Sequence, residues 1–166
     1  HGGNAMKEAG MQILEHTDDL AIMGFIEVIK HLPRMMKIMG KTIDTISRTK
    51  PDRIILIDYP GFNLRLAKRI QHLKIPITYF ILPQVWAWKE KRVETMKAVL
   101  DQTLSIFPFE QDWFESRGLQ TNYVGHPFAE QEHLDESSKD FYQRHDITIE
   151  HPLLVLLPGS RQQEVD

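Results

Sequence analysis

The chain has 166 residues, 42% of them hydrophobic, which is enough to bury one ordinary core or one domain and the start of another. A formal net charge of -3 supplies no global positive field to gather phosphates, which argues against a general nucleic-acid role and leaves room only for local basic stripes. The absence of cysteine rules out disulfides and thiolate metal sites and fits a reducing cytoplasm, while the eight histidines fall at no metal-ligand spacing.

No apolar run approaches the roughly 20 residues needed to span a bilayer, and no signal-peptide pattern opens the chain, so a soluble or peripheral protein is expected. The opening "HGGNAMKEAGM" lacks an initiating methionine and reads as a glycine turn, and "LLPGSRQQEVD" stops as a helix begins. The sequence therefore reads as a fragment cut at both ends.

Taken in order, Thr17 is placed to cap a helix beginning at Asp18. In the long apolar stretch that follows, Pro33 predicts a division into a short helix before it and a longer one after, ended by Lys50-Pro51-Asp52. Ile54 to Ile57 is short, β-branched and unalternated, as a strand covered on both faces should be. Asn63 then reads as the cap of a helix over "LRLAKRIQHL". "IPITYFI" predicts a strand, "LPQVWAWKEK" a loop leading into a helix through about Val99, and "QTLSIF" a third strand. "EQDWFESRG" predicts a helix with Gly118 at its C′ position, "TNYVG" a fourth strand, "SSKDFYQRH" a helix and "LLVLL" a fifth strand. This alternation predicts an α/β fold, a parallel sheet with helices on both faces. The polar, acidic stretch from His126 to Ser138 is the candidate linker, so that Leu153 to Leu157 would open a second domain with "PGSR" as its first turn.

Ligands of open α/β sheets gather beyond the carboxyl ends of the strands, where helix N-termini and loop amides converge. Asp58, Gln84 with Trp86 and Trp88, Glu110, and Gly125-His126 all follow predicted strands. Each has a plain alternative. Asp58 could be a turn cap or a tuned general base. The tryptophans could pack under their loop or wall a sugar or acyl site, and His126 could be a hydrogen-bonded loop residue. Gly159 and Ser160 expose amides before a helix and Arg161 adds a fixed charge, an arrangement suited to a diphosphate. Ile26, Ile29, Pro33 and Met36 form a stripe, with Val28, Leu32, Met35 and Met39 beside it and Lys30, Arg34, Lys37 and Lys41 interleaved. Such a pattern packs on a core or lies in a membrane surface, apolar side inward and cations on anionic lipid.

Six segments, "LAIMGFIEVIKHLPRMMK", "KPDRIILIDYPGFNLRLA", "PQVWAWKEKRV", "FPFE", "YVGHP" and "LLPGSRQQEV", in this order and spacing closely resemble the lipid-A-disaccharide synthase family, over nearly the whole chain. The resemblance implies the N-terminal half of a GT-B glycosyltransferase, Rossmann-like, with an acceptor-side domain over 1–136 and a linker helix and the first strand-turn of the nucleotide-sugar domain over 137–166. It implies inverting transfer of 2,3-diacylglucosamine from UDP to the 6-hydroxyl of 2,3-diacylglucosamine 1-phosphate. Asp58 is then the general base and Arg161 acts on donor phosphate or substrate charge. Asn63, Gln84, Trp86, Trp88, Glu110, His126, Gly159 and Ser160 would bind substrate. Ile26, Val28, Ile29, Leu32, Met35 and Met36 would touch the inner membrane of a Gram-negative bacterium from its cytoplasmic side. No metal or other cofactor is required by this chemistry. Many members of the family carry a second aspartate where this chain has Gly61 and a serine where it has Gln84, so those family positions are not essential to this reaction. Other UDP-sugar GT-B enzymes, such as an epimerase or soluble transferase, and a non-catalytic membrane-binding module are the competing readings.

Overall fold

The computed structural model describes residues 1–17, 25–129, 138–148 and 153–159, with the side chains of 25–31 and 138 left aside. The chain divides into two compact units, His1–Ala129 and Glu130–Asp166. The first unit opens with a short helix, α1 (Asn4–Glu8), where a glycine turn was expected. A parallel bridge between Gly2 and His16 closes this segment, and an ion pair of 2.6 Å from Lys41 Nζ to Glu15 ties it to the next helix.

That helix, α2 (Phe25–Thr49), runs unbroken through Pro33, so the expected division into two helices does not occur. Proline removes one backbone donor, at a cost of about 3 kcal/mol in a helix interior. Beyond it, Met35, Ile38, Met39, Ile43 and Ile46 keep helical spacing and all pack on the core. Burial of each such side chain, when complete, contributes about 1.5–3 kcal/mol, which outweighs the local loss. The predicted cap at Thr17 and helix start at Asp18 lie outside the described residues.

Four strands follow: β1 (Ile54–Ile57), β2 (Ile77–Phe80), β3 (Gln102–Ser105) and β4 (Asn122–Tyr123). They pair in parallel in the order β1-β2-β3-β4, with Ile54 opposite Ile77 and Leu56 opposite Tyr79. Each connection carries a helix: α3 (Pro60–Ile70), α4 (Arg92–Val99) and α5 (Pro108–Glu115). This is the expected α/β fold, a Rossmann-like parallel sheet with helices. The core joins Ile54, Leu56 and Tyr79 from the sheet to Leu66, Ile70, Met96 and Phe114 from the helices. β1 is not covered on both faces as its sequence suggested: Ile54 and Leu56 are buried, while Ile55 and Ile57 remain exposed. An edge strand among the described residues can leave one face open, and a run of four isoleucine and leucine residues carries no alternation that would announce it.

α5 ends as expected at Gly118, which takes a φ of 74° that a side chain would resist. The Leu119 N–H donates to the Phe114 carbonyl at 3.1 Å and the Gly118 N–H to Glu115 at 2.9 Å, the pair of bonds that closes a Schellman turn.

In the second unit, α6 (Ser138–Arg144) occupies the segment predicted helical. Leu153 to Leu157, the expected fifth strand, forms none among the described residues, and its side chains are exposed. A strand exists by pairing, and no described strand pairs with this one.

Candidate active site

Parallel pairing in sequence order aligns the carboxyl ends of all four strands, so the loops after β1, β2, β3 and β4 share one edge of the sheet. Asp58, Gln84 with Trp86 and Trp88, Phe107 to Glu110, and Gly125-His126 lie in or directly after those loops.

The turn after β1 is unusual. Asp58 and Tyr59 both adopt left-handed backbone, with φ of 45° and 47°. Aspartate tolerates this region and tyrosine does so at a cost, about 1–3 kcal/mol for a non-glycine residue held there. Three neighbours hold the turn. The Asp58 N–H extends the sheet by donating to the Phe80 carbonyl at 3.0 Å. The Tyr79 hydroxyl donates to the Asp58 carbonyl at 2.7 Å. Asn63 Nδ2 donates to that same carbonyl at 2.7 Å and to the Ile57 carbonyl at 3.1 Å. Pro60, with its φ already set for a helix, then begins α3 directly.

This corrects the reading of Asn63. It does not cap α3 from outside, because Pro60 starts the helix three residues earlier with Tyr59 at the N-cap. Its amide instead reaches back and donates to the strand end. The Asp58 side chain is left exposed, and no ion pair holds it among the described residues. Buried Tyr79 remains a hydroxyl, its ionisation pushed up by burial and then by the charge of Asp58, with Arg92 acting the other way.

Strain recurs along the same edge. Of the seven non-glycine residues with positive φ among the described residues, Asp58, Tyr59, Ile81 and Lys89 all follow β1 or β2. Such outliers persist only where surrounding structure over-determines them, and they cluster at functional sites.

The loop after β2 exposes Gln84 and Trp88, with Trp88 at 61% the more open of the two tryptophans. Lys89 Nζ lies 4.3 Å from the Trp88 ring and the Arg92 guanidinium 5.8 Å. Arg117 Nε donates to Glu90 at 2.6 Å and tethers the loop to the turn that follows α5. Trp86 Nε1 donates to Glu110 at 3.1 Å, and its ring meets Phe109 edge-on at 5.2 Å. Phe107 stacks on Phe109, and His126 lies 5.6 Å from Phe107 and 5.3 Å from Phe128. The Phe128 N–H donates to His126 Nδ1 at 3.2 Å, so neutral His126 carries its proton on Nε2 and offers a donor there. These rings form a half-exposed aromatic wall able to receive the apolar face of a sugar.

Glu110 was expected to touch substrate and is instead completely buried. Its Oε1 accepts from Trp86 and its Oε2 from the Phe107 N–H at 3.3 Å, so it positions Trp86. Burial holds its carboxyl above the ordinary carboxylate range, against the pull of the Trp86, Phe107 and Ile106 N–H groups. A raised carboxyl favours the fold when protonated: its contribution is complete below the ordinary value of about 4.3 and is lost as pH rises through the raised value. Glu110→Gln removes this dependence. Thermal melts should therefore show the variant gaining on the parent as pH rises through that window, and parallel profiles would contradict the effect of burial.

Of the remaining expected site residues, Gly159 is described and exposed, whereas Ser160 and Arg161 lie outside the described residues. Ile26, Val28 and Ile29 lie on the backbone of α2 with side chains outside the description. Leu32 and Met36 are exposed, at 46% and 58%, while Met35 is drawn partly into the core. No described helix is long and apolar enough to cross a membrane, and no group of three His, Asp or Glu among the described residues could hold a metal ion. Tyr79 and Arg92 were missed from sequence. Tyr79 stood inside an apolar strand, where an aromatic residue reads as packing, and Arg92 in an ordinary basic helix start.

A family model described as Lipid-A-disaccharide synthetase matches residues 1–166. The Lipid-A-disaccharide synthase of Myxococcus xanthus (strain DK1622) is 37% identical over 164 residues, covering 99% of this chain and 43% of that relative. The synthase of Gluconobacter oxydans (strain 621H) is 38% identical over 163 residues, 98% of this chain and 39% of the relative. That of Coxiella burnetii (strain CbuK_Q154) is 32% identical over 165 residues, 99% and 44%. The chain thus spans 39% to 44% of the length of these curated relatives.

Proposed function

This chain belongs to the lipid-A-disaccharide synthetase family, and we propose from that premise that its complete gene product is an inverting glycosyltransferase of lipid A biosynthesis. The donor is UDP-2,3-diacylglucosamine, the acceptor 2,3-diacylglucosamine 1-phosphate, and the products a β-1,6-linked disaccharide 1-phosphate and UDP. Residues 1–136 form the acceptor side of a GT-B enzyme, and 137–166 lead into its nucleotide-sugar domain.

The observation that carries this reading is the strained, triply held turn that leaves the Asp58 carboxylate exposed at a strand end. In the reaction Asp58 takes the proton of the acceptor 6-hydroxyl. The oxygen forms its bond to the donor's anomeric carbon from the face opposite UDP, and the carbon–phosphate oxygen bond breaks with its electron pair leaving on UDP. One base on the acceptor side suffices, with no covalent enzyme intermediate. Arg161 and the amides at Gly159 and Ser160 stabilise the departing diphosphate, so the chemistry needs no metal. The wall of Trp86, Phe107, Phe109 and His126, together with Gln84 and Trp88, flanks the sugar.

Both substrates carry acyl chains, which supports a peripheral position on the cytoplasmic face of the inner membrane. Exposed Leu32 and Met36 are the described part of the contact, and Ile26, Val28, Ile29 and Met35 of the same helix complete it. Replacing Leu32 and Met36 by serine is expected to lower partition onto anionic vesicles about tenfold or more with the thermal melt unchanged. Undiminished binding in a sedimentation assay would remove these two residues from the contact.

The test of the activity is acceptor-dependent release of UDP by the complete gene product. A UDP-sugar epimerase would convert donor without acceptor, and a non-catalytic module would convert nothing.

A further inference from the structure

α2 and α3 border a half-open cavity of about 310 Å³ beside the Asp58 turn. Leu32, Met35, Met36 and Met39 form one wall, and Tyr59 and Phe62 the other. The volume lies at the lower end of the range of small-molecule sites, about 300–1,000 Å³. Methionine walls are flexible and adapt to an irregular or mobile apolar guest.

Apart from Tyr59, the polar residues that line it are two cations. Arg65 and Arg69 stand one turn apart on α3, both exposed, and neither has a carboxylate partner among the described residues. Like charges at this spacing repel, so the pair is improved by a bound anion. Gly61 lines the cavity from the α3 side, and a Cβ added there would meet nothing within 4 Å. The space over Gly61 is therefore open to a ligand.

We propose that this cavity binds one acyl chain of a monomeric anionic amphiphile, with the phosphate held by Arg65 and Arg69. On the transferase reading, from which the inference takes the occupant's identity, that amphiphile is the acylated sugar 1-phosphate acceptor. A chain seated there brings its sugar beside Tyr59 and so toward Asp58. Exposed Leu32 and Met36 form the mouth through which the chain enters from a bilayer.

The probe is dodecyl phosphate, kept below its micelle concentration and titrated into the whole chain by calorimetry. Saturable one-to-one binding is expected. Gly61→Leu fills the space at a helical position and should weaken binding about tenfold or more with an unchanged melt. Met36→Glu, on the exposed wall, should do the same and keeps the test decisive if the first variant folds poorly. The double change Arg65→Gln and Arg69→Gln should weaken dodecyl phosphate similarly while leaving dodecyl maltoside unaffected. Absence of binding, equal binding by folded Gly61→Leu and Met36→Glu, or full displacement by inorganic phosphate would overturn the proposal. Loss of the transferase reading through an active Asp58→Asn enzyme would leave this titration unchanged, because Asp58 is not part of the cavity lining.

Discussion

Replacing Asp58 by asparagine is expected to lower the transfer rate of the complete gene product by about 10²- to 10⁴-fold, the range general-base catalysis supplies. The fold should be untouched. Asparagine adopts left-handed backbone as readily as aspartate, and the bonds that hold the turn use main-chain atoms rather than the carboxylate: the Asp58 N–H donates to Phe80, and the Asp58 and Ile57 carbonyls accept from Tyr79 and Asn63. The side chain itself is exposed and in no described ion pair. A fall in rate with an unchanged melt therefore isolates the carboxylate as a proton acceptor. Near-normal turnover in this variant would refute the assignment of the base while leaving family membership intact.

The second large effect is expected from Asn63→Ala. The substitution removes both donors that reach the Ile57 and Asp58 carbonyls, and leaves the Tyr79 hydroxyl alone on the latter. Each hydrogen bond of this kind contributes about 0.5–1.5 kcal/mol to stability, so the loss should total about 1–3 kcal/mol. The effect on rate should be larger than that on the melt. Without its tethers the two-residue left-handed turn can relax toward ordinary backbone, and a displacement of about 1 Å at a reacting group can cost on the order of 10²-fold. Asn63→Asp cannot rescue it, because a carboxylate accepts where a donor is needed. Stability measured by denaturant and rate measured by UDP release separate the two consequences. Equal, small losses in both would mean that Asn63 merely packs the start of α3.

These two residues also mark how far the sequence could be read. Ile54 to Ile57 was bounded correctly as a strand, because β-branched residues between a helix stop and a Pro-Gly pair admit little else. Asp58 at its end was legible for the same reason. The role of Asn63 was not, since its position before a helical run matches a cap and only the backbone reveals that Pro60 begins the helix sooner. Tyr79 was out of reach because its partner Asp58, 21 positions upstream, is brought to it only by the register of β1 with β2. Glu110 looked like a rim carboxylate until its burial beneath Trp86 was seen, and sequence gives no burial for a residue in the first turn of a helix.

On the larger scale, the order of strands and helices was readable from alternation of short apolar runs with amphipathic ones. Pro33 misled because proline propensity is local, whereas the burial of Met35, Ile38, Met39, Ile43 and Ile46 acts over the whole of α2. Leu153 to Leu157 has the composition of a buried strand, yet composition cannot supply the neighbour that a strand requires. Nothing in the sequence singles out Arg65 and Arg69, and only the packing of α2 against α3 gives them an apolar cavity to border.

The most direct test of the account is to supply the complete gene product with UDP-2,3-diacylglucosamine, with and without 2,3-diacylglucosamine 1-phosphate, and to follow UDP and disaccharide together. Release of UDP that depends on acceptor and matches disaccharide one for one is the expected result. UDP formed without acceptor, or no conversion by a folded protein, would contradict it.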